Sequence, residues 1–167
     1  MTKMLRIFFL LFIISFTAFG QTQKLILTRE QNTNWLDSLK TMALDQQLIT
    51  IKDRLLSDTN IFVRQFYNDR IRVVDAIGNR VYGDGKPTLI ISGYPMIIDN
   101  KTETPKIIGL TKLMINDFIK NISILSPNDP ATTAIYGSAG MSGIIVMTLT
   151  KKKYLKIFRR LNLKPNY

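Results

Sequence analysis

Histidine and cysteine are both absent from this sequence of 167 residues, and that narrows the available chemistry at once. An imidazole base, a thiolate nucleophile, a Ser-His-Asp triad, a zinc site of the common kind and a disulfide framework each need one or the other. A carboxylate-based enzyme would draw on Asp69, Asp75, Asp84 and Asp99, with lysine, serine or tyrosine beside them. None of these acids stands at a recognisable catalytic spacing, and lone acids near turns ordinarily cap backbone or face solvent. Gly83-Asp84-Gly85 has only a superficial likeness to a phosphate loop. It lacks the further glycines and the lysine-serine or lysine-threonine pair, so it reads as a tight turn. The residues point away from an enzyme and imply no cofactor and no metal.

The most informative spacing is structural. Gly137, Gly140 and Gly143 recur every third residue between two apolar runs, 122–125 and 144–150. Glycine reaches backbone conformations closed to other residues and lets a second backbone come close. The stretch 121–153 therefore reads as strand, polar turn, a small-residue segment ending in Tyr136-Gly137, a second turn bounded by glycine, and a strand running into lysines.

These turns have to be held by the rest of the chain, whose length fits one domain. From Thr28 to about Ser57, Trp35, Leu39, Met42, Leu48, Ile51 and Leu55 recur at helical spacing, with Thr28 or Asn34 as cap, which predicts one helix or a helix pair. After Asp58 the period changes to strand-like runs at 61–67, 71–77, 81–82 and 88–92. Gly93-Tyr94-Pro95 is expected to end the last of these, with Met96 to Ile98 extending it. The polar segment 99–106, with Pro105, reads as a surface loop, and 109–119 as a helix capped by Thr111. The order predicts an α+β fold: a small mixed β-sheet with flanking helices, preceded by an N-terminal helical region.

Charge divides the chain further. Lys3 and Arg6 precede an apolar run over 7–19, and Ala18-Phe19-Gly20 places small residues before Gln21. That is the layout of a secretory signal peptide cleaved between Gly20 and Gln21; a retained anchor or a buried helix are the alternatives. The net charge is +11 over the whole sequence. Without the leader the balance is 21 basic against 12 acidic residues, and seven of those bases lie after Thr150, where no acid follows. The segments expected are a signal peptide (1–20), a helical region (21–58), an α+β domain (59–153) and a basic amphipathic tail (154–167).

The stretch from Pro87 to Lys153 resembles the second half of the plug domain of TonB-dependent outer-membrane transporters, the SusC/RagA branch of Bacteroidetes above all. The resemblance rests on Leu89-Ile90-Ile91-Ser92-Gly93-Tyr94-Pro95, on Ile119-Lys120-Asn121-Ile122-Ser123-Ile124-Leu125, on Ala131 to Gly137 as ATTAIYG, and on Gly143-Ile144-Ile145-Val146-Met147-Thr148-Leu149-Thr150-Lys151. It implies a plug-like fold in which Gly93, Pro95, Tyr136, Gly137, Gly143, Thr150 and Lys151 are structural positions. Ser92 stands where the family usually has aspartate, Ser123 where it has glutamate, and Asn128-Asp129-Pro130 replaces a lysine-aspartate turn. Before Pro87 no family pattern is found; Lys24 to Thr28 could serve as a short extended TonB-contact segment. In the family the Thr-Lys end leads into a transmembrane barrel. The smallest barrels need eight strands of about 9–11 residues each, and 14 residues follow Lys153 in this sequence.

The resemblance thus implies a plug without its own pore: a non-enzymatic periplasmic module, associated with the outer membrane, that gates or occludes a β-barrel or joins a TonB-dependent transport component made by another chain. The alternative is an envelope interaction adaptor that reuses the plug fold, for instance through strand addition at a sheet edge. Lys151, Lys152, Lys153, Lys156, Arg159 and Arg160 alternate with apolar residues in the tail. They are expected either in solvent on an end that packs onto the domain, on an anionic membrane surface, or on an acidic patch of a partner. Export argues against a nucleic-acid partner.

Overall fold

The computed structural model describes residues 25–63, 82–83, 85–96, 98 and 102–163. The expected signal peptide with Gly20 and Gln21, the run 71–77 and the acids Asp69, Asp75, Asp84 and Asp99 lie outside the described residues.

The helical region is a pair. Helix α1 (Arg29–Lys40) starts on Thr28, whose hydroxyl accepts from the Gln31 amide while the Gln31 side chain accepts from the Thr28 amide, a reciprocal capping box. A short break at Thr41 to Ala43 leads into α2 (Leu44–Ser57). Gln47 closes that break, its side-chain amide donating to the Leu39 carbonyl at 2.8 Å. The two-residue strands β1 (Phe62–Val63) and β2 (Tyr82–Gly83) pair in parallel.

The principal sheet has four strands in the order β4-β3-β6-β5. They are β3 (Thr88–Ile91), β4 (Tyr94–Met96), β5 (Ile119–Leu125) and β6 (Ile144–Leu149). The central pair β3–β6 is parallel and both outer pairs are antiparallel. Helix α3 (Thr104–Leu113) connects β4 to β5, helix α4 (Pro130–Tyr136) connects β5 to β6, and α5 (Leu155–Arg159) follows β6. This is the α+β fold expected from the sequence.

Two sequence expectations are corrected here. The chain does not run on through Gly93-Tyr94-Pro95; it reverses at Ser92-Gly93 and returns as β4. Ser92 (φ 46°) and Gly93 (φ 81°) both take the positive φ that a tight two-residue hairpin turn demands. Pro95 fits because β4 is an edge strand, where a missing N–H costs nothing. The third helix begins inside the segment read as a loop, since a proline is welcome in a helix's first turn. Thr111 therefore lies within α3, its hydroxyl donating back to the Ile108 carbonyl at 2.9 Å instead of capping.

Alternation along the strands gives the sheet two unlike faces. Leu89, Ile91, Ile145, Met147 and Leu149 are buried in one cluster with Leu36, Leu39, Leu48 and Ile51 of the helix pair, with Leu110 of α3 and with Phe158 of α5. The opposite face holds a row across all four strands, Pro95, Ile90, Val146 and Ser123. Its end members are exposed and its central pair half-buried. One core thus draws on residues of 21–58, of 59–153 and of 154–167.

Candidate functional site

The glycine segment is built from the end of β5 onward. Asp129 caps α4 by accepting from the Ala131 amide at 2.9 Å, and Pro130 supplies the helix's first residue. The helix stops at Gly137, whose φ of 57° and ψ of −136° lie in a region that side chains with a Cβ avoid. A 3-10 turn over Gly137–Gly140 leads to Gly143, at φ 82°. A Cβ on Gly143 would sit 2.4 Å from Leu36 Cδ1 and 3.0 Å from the Leu125 carbonyl oxygen. Gly143 is thus where β6 begins directly against α1, and the buried Asn32 side chain secures the contact by donating to the Ser142 carbonyl at 2.9 Å. Tyr136 is half-buried, but Ile135 is 71% exposed, so the core gives no account of this apolar residue in the motif.

The remaining motif positions lie at the other end of the sheet, one strand length away, roughly 20 Å at ~3.3 Å per residue. There the Ser92 hydroxyl accepts from the Leu149 amide at 3.0 Å, and the Ser92 amide donates to the Met147 carbonyl at 2.8 Å. The hairpin turn is thereby fastened to the last residues of β6. Thr150 closes the same end by donating through its hydroxyl to the Asp117 carbonyl at 2.7 Å and through its amide to Phe118 at 2.8 Å. Tyr136, Gly137 and Gly143 therefore form one group, and Gly93, Thr150 and Lys151 another, with exposed Pro95 on the β4 edge.

The tail continues from that second group. Lys151, Lys152, Lys153, Lys156, Arg159 and Arg160 are all exposed, and the Arg159 guanidinium lies 5.1 Å from the centroid of the Tyr94 ring. Phe158 is fully buried and Leu163 nearly so. The apolar side of this segment is the outer wall of the core, and the six cations are the large outward feature among its described residues.

A second constellation was not anticipated from the sequence. Arg54 and Asp58, one turn apart at the end of α2, are 5% and 4% exposed, and Arg54 Nε donates to both Asp58 carboxylate oxygens at 2.7 Å. Burial pushes the Asp58 carboxyl above its ordinary value, against the opposing pull of the Arg54 and Lys86 charges. Lys86 Nζ donates to the Asp58 main-chain carbonyl at 2.6 Å. The Trp35 ring centroid is 5.0 Å from Arg54 Cζ, within cation–π range. Arg54 Nη1 is buried and has no hydrogen-bond partner among the described residues. These side chains share a cavity of about 220 Å³ with Ile51, Leu55, Leu89, Met96 and Ile145. The signal in the sequence was spacing: Arg54 falls three residues after Ile51, on the stripe that Leu48 and Ile51 bury.

No group of three or more potential metal-ligating side chains occurs among the described residues, and none of their helices is long and apolar enough to cross a membrane. In comparisons with known proteins, no family model, no curated protein and no solved structure matches this chain.

Proposed function

We propose that this protein is a non-enzymatic, plug-like module of the bacterial envelope that associates with an outer-membrane β-barrel formed by another chain. The observation that supports it is the assembly of the motif segments. The strand leading to Ser92-Gly93 and the strand from Gly143 to Thr150 lie side by side in parallel at the centre of the sheet, with the ATTAIYG segment as the helix that ends at a positive-φ glycine. The segments that carry the resemblance thus form one structural unit. A wide barrel leaves an aqueous lumen, and a compact mixed domain can fill it. Exposed Ile135, at the tip of that unit, is the residue assigned to the contact.

The test is recovery of the tagged full chain from its native host after mild detergent extraction, beside the variant Ile135→Asp. A barrel protein should co-purify with the native sequence and be lost with the variant, whose melting temperature should stay unchanged because the residue is exposed. Recovery without any barrel or other envelope protein would sink the reading. A second reading, an envelope adaptor held at an anionic membrane surface, is favoured by the six exposed cations after Thr150. It is the outcome if the chain is retained by lipid alone and released by salt, as exposed charges require.

A further inference from the structure

We propose that the cavity beside α2 is a binding site for a small monocarboxylate with an apolar body, its carboxylate received by Arg54. A guanidinium carries five N–H donors. In Arg54 one edge is committed to Asp58 through Nε, one face is covered by Trp35, and Nη1 is left without an acceptor. Arg54 and Lys86 both line the cavity and together carry one positive charge more than Asp58 offsets, so an anionic oxygen supplied from the cavity meets charge-assisted donors.

The walls select the rest of the ligand. Apart from Arg54, Asp58, Lys86, Thr88 and the Trp35 ring, the lining is apolar, Ile51, Leu55, Leu89, Met96 and Ile145 among it. Arg54, Lys86 and Asp58 sum to one positive charge, with Asp58 committed to Arg54, which disfavours an organic cation, and a dianion would have to lose two charges' worth of hydration among apolar side chains. A monocarboxylate brings one charge-assisted acceptor and leaves the remainder of the cavity to carbon. The volume of about 220 Å³ exceeds the ~150 Å³ of a dry protein cavity that takes up benzene. A body of roughly six to ten carbons is the matching size.

Trp35 is the only tryptophan in the sequence and stands in the wall of this cavity, so its fluorescence reports on occupancy. The probes are sodium octanoate and 1-octanol, which share a hydrocarbon body and differ in the charged head. Titration of the full chain with octanoate should give a saturable change with Kd below about 1 mM, and octanol should bind about tenfold more weakly or worse. Arg54→Met combined with Asp58→Leu replaces the buried pair by hydrocarbon, a change folds commonly accept, and should erase the preference for octanoate. Leu55→Phe, at a half-buried wall position, should weaken both probes by filling the cavity and does not depend on removing the ion pair. No saturable change up to about 10 mM octanoate, equal binding of octanol by the native sequence, or an undiminished octanoate preference in the double variant each overturns the proposal.

Discussion

Alanine at Gly143 and alanine at Gly137 make the same chemical change at two positive-φ positions, and the structure separates their consequences. At φ 57° and ψ −136°, Gly137 has no described atom within 4 Å of the site a Cβ would occupy, so Gly137→Ala meets backbone strain alone, about 1–3 kcal/mol. Alanine also restricts the unfolded chain, an effect of about 0.4–1 kcal/mol in the opposite sense. The net expectation is a loss of about 0.5–2 kcal/mol. Gly143→Ala also places a side chain at positive φ, 82°, and in addition puts a methyl 2.4 Å from Leu36 Cδ1, 3.0 Å from the Leu125 carbonyl and 3.2 Å from Pro127 Cδ. Overpacking of this kind costs about 1–3 kcal/mol, which brings the net loss to about 1.5–5 kcal/mol. For a chain of this size each kcal/mol lowers the melting temperature by about 2–4 °C. Gly137→Ala should therefore lower it by roughly 1–8 °C and Gly143→Ala by roughly 3–20 °C.

The cause of the larger effect can be isolated. Leu36→Ala alone should cost about 2–5 kcal/mol, because Leu36 is fully buried. Combined with Gly143→Ala it should cost less than the sum, by about 1 kcal/mol, since the shortened side chain removes the closest of the three collisions. Urea unfolding of the four species measures that coupling. Additive losses, or equal losses at the two glycines, would refute the claim that Gly143 is required by the contact between β6 and α1.

Asp58 gives a pH-dependent prediction. Because burial raises its folded-state value above 3.8, the folded protein holds this proton to higher pH than the unfolded chain does. Its favourable contribution is complete below 3.8 and is lost as pH rises from there through the raised value. Relative to Asp58→Asn, the native sequence should lose unfolding free energy as pH rises over this window; a constant difference across roughly pH 3–6 would contradict it. In the tail, Phe158→Ala should cost about 3–5 kcal/mol because the ring is fully buried, whereas Lys156→Ala, on the exposed side, should stay within about 0.5 kcal/mol. Chemical denaturation of both variants decides it: comparable losses would mean the last helix is not a wall of the core.

Much of the fold was legible because its signals are local. The cap at Thr28, the helical stripe through Leu39, Leu48 and Ile51, and the apolar run 122–125 each specify an element within a few residues. Where the reading went astray, the deciding interaction is between segments distant in sequence. Nothing next to Ser92 says that its hydroxyl will meet the Leu149 amide, 57 residues on, and so support a positive φ at a serine. Pro95 looks like a strand terminator until β4 is known to be an edge. Arg54 and Asp58 are buried as a pair because Arg54 shares the stripe of Leu48 and Ile51, a placement that charged residue types do not suggest. The cavity they line needs α2, β3, β4 and β6 together, so no single stretch of sequence announces it.

The departures from the plug pattern acquire a physical meaning in this arrangement. The Ser92 hydroxyl accepts from the Leu149 amide, so the hairpin is fastened to β6 without a charge. Serine for glutamate at Ser123 falls on the sheet face away from the core, in the row with Pro95, Ile90 and Val146. The helix pair, for which no family pattern was found, covers the opposite face through Leu36, Leu39, Leu48 and Ile51. Under the proposed association, the surfaces left to a partner are the outer face and Ile135, since α1 and α2 cover the other face. The row through Pro95, Ile90, Val146 and Ser123 carries no charge, so under the proposed association a partner would be selected there by shape and apolar contact, with long-range attraction left to the exposed cations that follow β6.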